Sequence, residues 1–327
     1  MRDHLSGHDL IMRLNVMLEP QEGMTYAAIL AIAQRTETLG FEGLYRSDHY
    51  KSVADRDERG STDAWATLAG LARETDRIRL GTLVSPVTFR AAGNLAKTVA
   101  TVSEMASGGR IDVGMGTGWL ASEHTQHGFP FEDLGTRFRR LEEHLQALRG
   151  LWSSQIERFT LDGEFVRIRD ARFEPKPDPT PRIIVGGRGP VRTPRLAARY
   201  ADELNSAFLS PQECASQRKA LRTACEDLGR DPQALTYSTM TGCLVGATVA
   251  EFHARARRLQ ELSGDTRPLN AYLRDLEDAW VLGTPDQAAE RLAEFAAAGV
   301  ERIMLQHQLF DDLDMLDVVA QLLVSSP

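Results

Sequence analysis

The stretch Gly40–Tyr50, GFEGLYRSDHY, determines how the rest of the chain is interpreted. Residues 42–46 follow an amphipathic segment and predict a short strand, which delivers Ser47, Asp48 and His49 to the point where the strand ends. The carboxyl ends of the strands line the active site in a parallel α/β barrel. Asp48 and His49 are therefore a candidate acid/base pair, since histidine titrates near neutral pH. The alternative is that Asp48 caps the next segment and His49 is an ordinary loop residue.

Outward from this stretch, strand and helix patterns alternate along the chain. Strands are predicted at 13–19, 42–46, 77–85, 110–116, 182–185, 203–207, 235–246 and 301–306, with a helical segment after each. Strict alternation requires a parallel sheet with crossover helices, and this number of repeats predicts an α/β fold of the (β/α)8 TIM barrel type with insertions. A doubly wound sheet is disfavoured because Gln21-Glu22-Gly23, after the first strand, is not a glycine-rich dinucleotide turn.

The domain organisation follows from the same pattern. Residues 1–12 are interpreted as an N-terminal extension and 13–327 as a single barrel domain, because no repeat or low-complexity linker divides the chain. Insertions are expected at about 153–181 and 263–280. Within the first, alternating runs around Asp162-Gly163 predict a β-hairpin, whereas the second is a mixed segment with no assignable structure.

Composition narrows the classes of function. The chain has 327 residues, 42% hydrophobic content and a formal net charge of −8, which disfavours nucleic-acid and membrane-surface partners. Cys214, Cys225 and Cys243 have no C-x-x-C spacing, so neither a disulfide framework nor a zinc site is expected. No apolar run is long enough for a membrane span, and no signal peptide is recognised, so a cytoplasmic protein is expected.

If the barrel is correct, chemistry comes from the strand ends. These are Glu19, Asp48-His49, Val84-Ser85, 116–119, 186–189, Ser206 and Gln306-His307. Gly116, Thr117, Gly118 and Trp119 lie in a run whose glycines let backbone approach a flat ring or a phosphate, although a tight turn is the simpler explanation of the run taken alone.

The segment Val185–Pro190, VGGRGP, is a stronger candidate for ligand binding. Gly186, Gly187, Arg188 and Gly189 run into a helix start that also carries Arg192 and Arg195, in a chain that is acidic elsewhere. Backbone N–H groups, a helix N-terminus and guanidinium groups all suit an anion. The alternative is a solvated basic helix start.

The remaining candidates are weaker, except for His307. The order E-H-x-x-H at Glu123, His124 and His127 is not a zincin motif, so no metal site is predicted. No G-x-S-x-G elbow supports a serine nucleophile. His307 follows the last apolar strand directly and is expected to point into or beside the barrel mouth.

Several long motifs resemble one known family. They are GFEGLYRSDHY (40–50), DAWATLAGLARETDRIRLGTLVSPVTFR (63–90), GGRIDVGMGTGW (108–119) with EH and GFPF after it, PRIIVGGRGPVRTPRLAARYADE (181–203) and GTPDQAAERLAEFAAAGVERIMLQ (283–306). Together they resemble the luciferase-like monooxygenase superfamily, and within it the oxidoreductases that depend on the deazaflavin coenzyme F420. The resemblance implies a luciferase-like barrel, a homodimer and a flavin or deazaflavin ring across the strand ends.

The resemblance also implies roles for individual residues. His49 handles the substrate proton, and Asp48 accompanies it. Leu83 and Val84 form a non-prolyl cis peptide behind the ring, beside Ser85. The Gly186-Gly187 turn holds the cofactor phosphate. Trp119, however, stands where sugar-phosphate and alcohol dehydrogenases of this branch carry a glutamate.

Because that glutamate is missing, the expected function is an F420-dependent reductase of a small organic molecule. His49 is the expected acid, with Glu123, His307 or Tyr50 as an accessory donor. The alternative cofactor is FMN, used by a monooxygenase whose flavin is reduced elsewhere. A third possibility is a cofactor-binding protein without catalysis.

Overall fold

Eight parallel strands form the centre of the chain, which a computed structural model describes over residues 12–107 and 109–324. The strands are β1 Arg13–Leu18, β2 Gly43–Arg46, β3 Arg79–Thr82, β4 Ile111–Gly116, β5 Arg182–Gly186, β6 Glu203–Ala207, β7 Thr236–Val245 and β8 Arg302–Gln306. Each pairs with its neighbours in chain order, and β8 also pairs with β1, with Arg302 opposite Arg13. The sheet is therefore a closed barrel, which confirms the predicted (β/α)8 fold.

Helices surround this barrel. They are α1 Tyr26–Leu39, α2 Ala64–Glu74, α3 Ala92–Met105, α4 Ala121–His127, α5 Leu134–Trp152, α6 Arg192–Tyr200, α7 Pro211–Asp227, α8 Val249–Ser263, α9 Leu269–Glu277, α10 Pro285–Ala297 and α11 Leu313–Val324. Short polar side chains begin several of them: Thr25 accepts a hydrogen bond from Ala28 N, and Ser210 forms a capping box with Glu213. Gly40 ends α1 in the left-handed conformation, which glycine adopts without steric cost.

The inward side chains form layers taken from alternate strands, as in other barrels of this type. Tyr45 of β2, Asp112 of β4, Glu203 of β6 and Arg302 of β8 are completely buried and bonded to one another around Arg302. A second, apolar layer consists of Met17 of β1, Leu83 at the end of β3, Ile184 of β5 and Met240 of β7, and Met304 of β8 packs against it. The barrel is therefore filled, and a ligand must bind above the apolar layer.

The first insertion has the predicted structure, and the second contains a helix that was not predicted. The hairpin is confirmed, with strands Phe159–Asp162 and Arg167–Ala171. The segment 263–280, which carried no assignment, contains α9 and leads into a short strand, Val281–Gly283, on β7. The helix α9 was not predicted because it is short and no side chain caps its start.

A second helix for which the sequence analysis made no prediction lies between Trp119 and Phe131. This is α4, which has only two turns and no capping side chain. Of the predicted extension 1–12, residues 1–11 lie outside the described part of the chain, and Met12 is buried in the core. Within the described residues, no helix has both the length and the apolar composition needed to cross a bilayer.

Candidate active site

His49 leaves the end of β2 and is held by a carboxylate from α4. Its Nδ1 lies 2.9 Å from Oε2 of Glu123, and the other oxygen of Glu123 accepts a hydrogen bond from the backbone N–H of Tyr50. Glu123 is completely buried, whereas His49 keeps some exposure. Of the two ring nitrogens of His49, only Nδ1 forms a hydrogen bond within the described residues, so Nε2 is available to a ligand. The structure thus brings two of the predicted catalytic residues together.

The environment of His49 favours its protonated form. Burial lowers the pKa of the imidazole, but the hydrogen bond and negative charge of Glu123, with smaller contributions from Glu19 and Asp48, raise it above its ordinary value overall. A histidine with a raised pKa stays protonated closer to neutral pH. His49 is therefore suited to donate a proton and to take it back.

The Asp48 carboxylate is held in place by hydrogen bonds, and little of its surface is exposed to a ligand. Its carboxylate accepts hydrogen bonds from Oγ of Ser85 at 2.6 Å and from Nη1 of Arg90 at 2.5 Å, and the residue is 1% exposed. Arg90 also binds Asp63 and the hydroxyl of Tyr50. Asp48 therefore ties the end of β2 to the segment after β3 and acts on His49 through position and charge. Arg90 was missed by the sequence analysis, and no local pattern marks it.

Leu83 and Val84, which we call the floor of the site, directly precede Ser85, the residue that binds Asp48. The peptide between Leu83 and Val84 is cis, as the resemblance implied. The Val84 side chain packs against glycines on two neighbouring strands: a Cβ added to Gly116 would lie 2.6 Å from Val84 Cγ2, and one added to Gly186 would lie 2.7 Å from Cγ1. Any larger residue at either glycine would displace Val84. These glycines are therefore required for the close packing of the floor.

The turn after β5 meets the start of α6. Gly187 N donates to Asn205 O, which fixes the turn on β6, and Val191 precedes α6 without a side-chain capping bond. The first N–H groups of α6 are therefore available to an anion. Arg188 and Arg192 are exposed on either side of the 189–191 segment of this turn, which adds positive charge to this part of the surface.

Aromatic side chains form the wall on the α4 side. Trp119 is 63% exposed, and its ring meets His49 edge-on, with ring centroids 5.7 Å apart. Tyr50 and Phe129 both pack on Phe89, with centroids 5.2 Å and 4.5 Å from it. Trp119 thus offers an open indole surface next to the imidazole. Thr117 and Gly118 lead into it, and the Gly118 carbonyl accepts a hydrogen bond from Arg137.

The opposite side of the mouth is polar. Glu19, at the end of β1, accepts hydrogen bonds from Gln306 Nε2 at 2.5 Å and Gln21 Nε2 at 2.6 Å. Gln21 in turn accepts from the Ser47 hydroxyl. Glu19 and Gln306 were recognised as strand ends but were not selected as site residues. Strand position alone was the signal that could have selected them.

Phe208, just beyond β6, is a further residue that the sequence did not indicate. Its φ is +52°, a conformation that is uncommon for a residue with a bulky side chain, and it packs against the apolar layer. Such backbone strain clusters at ligand sites. Phe208 therefore belongs to the same floor as Leu83 and Val84.

His307 occupies a different environment from the one expected. Gln306 joins the network at the mouth, whereas His307 is 3% exposed and lies close enough to Asp312 and Arg255 to feel their charges. Neither ring nitrogen has a hydrogen-bond partner among residues 12–107 and 109–324. Burial lowers the pKa of His307 to about 4. No hydrogen bond joins His307 to His49 or Glu123 within the described residues, so His307 is not assigned a part in the chemistry.

Lowering the pH should destabilise the folded protein, because His307 binds a proton more readily in the unfolded state. The unfolded histidine has a pKa near 6.5, so between about pH 6.5 and pH 4 the unfolded state binds a proton that the folded state does not. The free energy of unfolding should fall by about 3 kcal/mol across this window through this residue. Denaturant titrations of His307→Asn should show a shallower pH dependence there, and the exposed His127→Asn should not. Equal slopes would contradict the buried neutral imidazole.

The E-H-x-x-H residues serve other purposes than metal binding. His124 Nε2 contacts the Thr88 hydroxyl at 2.7 Å, and Nδ1 contacts Leu120 O at 2.8 Å. Glu123 is committed to His49 and Tyr50. Among the residues that the structure describes, no group of three His, Cys, Asp or Glu side chains is arranged to hold a metal ion.

All the predicted turns lie on one rim. Asp48 binds Ser85, Ser85 pairs with Met115 next to Gly116, and a Cβ on Gly116 would lie 3.7 Å from Gly186 O. The His49–Glu123 dyad, the Leu83–Val84 floor and the glycine turn before α6 thus lie around one mouth. This arrangement suits a planar cofactor with a phosphate, with a small substrate beside the histidine.

Comparison with known proteins identifies the family. The model of the luciferase-like monooxygenase family matches residues 10–302, and the chain belongs to this family. An F420-dependent glucose-6-phosphate dehydrogenase from Microbacterium testaceum is 34% identical over 167 residues, which cover 51% of this chain and 48% of that protein. Pyrimidine monooxygenase RutA from Stutzerimonas stutzeri is 28% identical over 246 residues, which cover 73% of this chain and 65% of that protein.

A solved structure shares the fold over nearly the whole chain. It is an F420-dependent secondary alcohol dehydrogenase in complex with an F420-acetone adduct, with a TM-score of 0.82 and 18% identity, covering 97% of this chain and 99% of that one. Both sequence matches to named enzymes span between about half and two thirds of the relative's length. The chain is thus an oxidoreductase of the luciferase-like family, which includes F420-dependent dehydrogenases and monooxygenases.

Proposed function

We propose that this protein transfers a hydride between coenzyme F420 and a small organic substrate, and that it works as a reductase. The observation that carries the proposal is the His49–Glu123 dyad at the edge of the Leu83–Val84 floor. Bound F420 would supply a hydride-carrying carbon, and the protein would supply the proton. Trp119 stands where a second acid is found in the alcohol and sugar-phosphate dehydrogenases of this branch, which favours reduction with one acid.

The residues present fit such a cofactor. Val84 fills the space that larger residues at Gly116 and Gly186 would take, and its apolar side chain is offered to the ring in this proposal. In the proposal, the ring also contacts Ser85, Thr117, Gly118 and Trp119 at its edges. The phosphate binds the turn and helix start, at Gly186, Gly187, Arg188, Gly189 and Arg192.

The roles of the dyad follow from its geometry. His49 Nε2 faces the substrate and donates a proton there, while Nδ1–H is held by the Glu123 carboxylate. Glu123 is a positioning residue: it fixes the ring orientation and raises the pKa of His49. Trp119 shields one side of the substrate from water, and its indole suits an apolar or planar molecule.

Replacing Glu123 with glutamine tests this division of labour. The glutamine side chain keeps the size of Glu123 but loses the negative charge, so the pKa of His49 should fall. Activity that depends on the protonated imidazole should then begin to decline at a lower pH than in the unaltered protein. The pH dependence of kcat/KM measures this shift directly. The surface variant Glu164→Gln should keep the original profile. If kcat/KM of Glu123→Gln declined at the same pH as in the unaltered protein, Glu123 would not set the pKa of the proton donor.

Similarity to pyrimidine monooxygenase RutA supports a second candidate, a monooxygenase that uses reduced FMN. The two candidate functions differ in the cofactor that the protein would use. Purified protein is titrated with F420 and with FMN, and then assayed for oxygen uptake with reduced FMN and for oxidation of reduced F420 by a panel of activated alkenes and ketones. Tight FMN binding with oxygen uptake, and no response to F420, would replace the first proposal with the second.

A further inference from the structure

A groove on the outside of the barrel adjoins the anion-binding turn. It lies between α5, α6 and α7 and encloses about 620 Å³, a volume within the usual range for small-molecule sites. Its lining includes the aromatic ring of Phe138 and the apolar side chain of Leu196, surrounded by arginines. It is separate from the mouth where His49 lies, so it is not the substrate pocket.

The groove is basic in a chain whose formal net charge is −8. Four guanidinium groups face two carboxylates; the basic residues are Arg139, Arg192, Arg195 and Arg199, and the acidic ones are Glu142 and Asp227. Arg199 pairs with Glu142 and Arg139 with Glu164. Arg192 and Arg195 form no ion pair within the part of the chain that the structure describes. Their charge is therefore free for an external anion.

Three arginines of α6 lie along one face of this helix, which begins just after the glycine turn. Arg192 is the first residue of α6 and stacks on Phe138, with its guanidinium carbon 5.5 Å from the ring centre. Arg195 and Arg199 follow at helical spacing on the same face, so the three arginines span about 10 Å. A ligand with a phosphate at the turn would meet this row of arginines as soon as it extended outward.

We propose that the groove binds the anionic tail of the cofactor, a chain of carboxylates beyond its phosphodiester. This rests on the proposed function, and it adds a reason for choosing the deazaflavin: F420 carries an oligoglutamate tail, and FMN ends at its phosphate. Arg195 and Arg139, on opposite walls, are the side chains that would contact the tail. Exposed ion pairs are individually weak, so the contribution comes from several of them together and is sensitive to salt.

The test compares two forms of the cofactor that share the ring and the phosphodiester, one with an oligoglutamate tail and one without glutamates. Fluorescence titration at low salt should give about tenfold tighter binding of the tailed form, and added salt should reduce this advantage. Arg195→Glu should abolish the advantage and leave the affinity for the tail-free form unchanged. Arg139→Glu, on the facing wall, should weaken only the tailed form.

A matched control lies on the other side of the barrel. Arg274 is an exposed arginine of α9 in a second groove, and Arg274→Glu makes the same change in charge without affecting either titration. Equal affinity for the two cofactor forms, or an equal loss for both in Arg195→Glu, would overturn the groove assignment and leave the proposed function standing. Failure of both deazaflavin forms to bind, with FMN binding intact, would overturn the proposed function itself.

Discussion

Replacement of His49 with alanine is expected to lower turnover by about 100-fold or more while leaving cofactor affinity nearly unchanged. The imidazole contacts Glu123 and Trp119, whereas Leu83 and Val84 form the floor, so its removal should take away the proton donor and little of the binding surface. Its buried partner Glu123 then loses the hydrogen bond at 2.9 Å but keeps the one from Tyr50 N. Single-turnover oxidation of reduced F420 by an acceptor that the unaltered protein reduces measures the effect.

The control for His49→Ala is His127→Ala. His127 is exposed on the neighbouring helix α4 and packs against Tyr50, so this variant removes an imidazole from the same rim without touching the dyad. Its turnover should stay within a few-fold of the original. If His49→Ala retained full turnover while the cofactor still bound, the proton would have to come from another group, and the dyad would lose its assigned role.

Replacement of Arg302 with methionine should cost about 3–5 kcal/mol in the free energy of unfolding. Arg302 is completely buried and binds Glu203, Glu42 at 2.6 Å and the Tyr45 hydroxyl at 2.5 Å. Methionine fills much of the volume but leaves Glu203 and the nearby Asp112 with less positive charge around them. An uncompensated buried carboxylate is far more costly than the loss of an exposed ion pair.

Urea or guanidinium unfolding of the purified variants measures this cost. The exposed pair Arg222–Glu226 provides the comparison, since Arg222→Met should change the unfolding free energy by less than about 1 kcal/mol. The double variant Arg302→Met with Glu203→Gln should recover part of the loss, because it removes one of the stranded charges. A loss in Arg302→Met no larger than in Arg222→Met would contradict the interpretation of the layer.

Much of the candidate site followed from local sequence. Asp48 and His49 stand at a strand end that the alternation predicts, and the glycine turn at 186–189 stands before a helix start. The cis peptide between Leu83 and Val84 came from the resemblance alone. Glu123 was named as an accessory, but its helix was missed, because two turns without a capping side chain carry too little periodicity to be recognised.

Other parts of the site depend on contacts between distant segments. Arg90 binds Asp48 across 42 positions of sequence, and Gln306 binds Glu19 across 287. His307 and Gln306 are neighbours in the chain, yet only Gln306 joins the mouth network. The sequence could place both at a strand end, but the side to which each side chain turns depends on strand alternation in the closed barrel.

By itself, the sequence determined the order of strands and helices, the closure into a barrel and the set of turns at its mouth, because hydrophobic periodicity, caps and turn residues are local properties. Only the tertiary structure decided that Glu123 holds His49, that Asp48 is committed to Arg90 and that the barrel contains a charged layer around Arg302. These pairings join residues far apart in the chain. Burial selects their partners, because a charge taken out of water requires a counter-charge within bonding distance. The spacing of residues in the sequence does not indicate which counter-charge this will be.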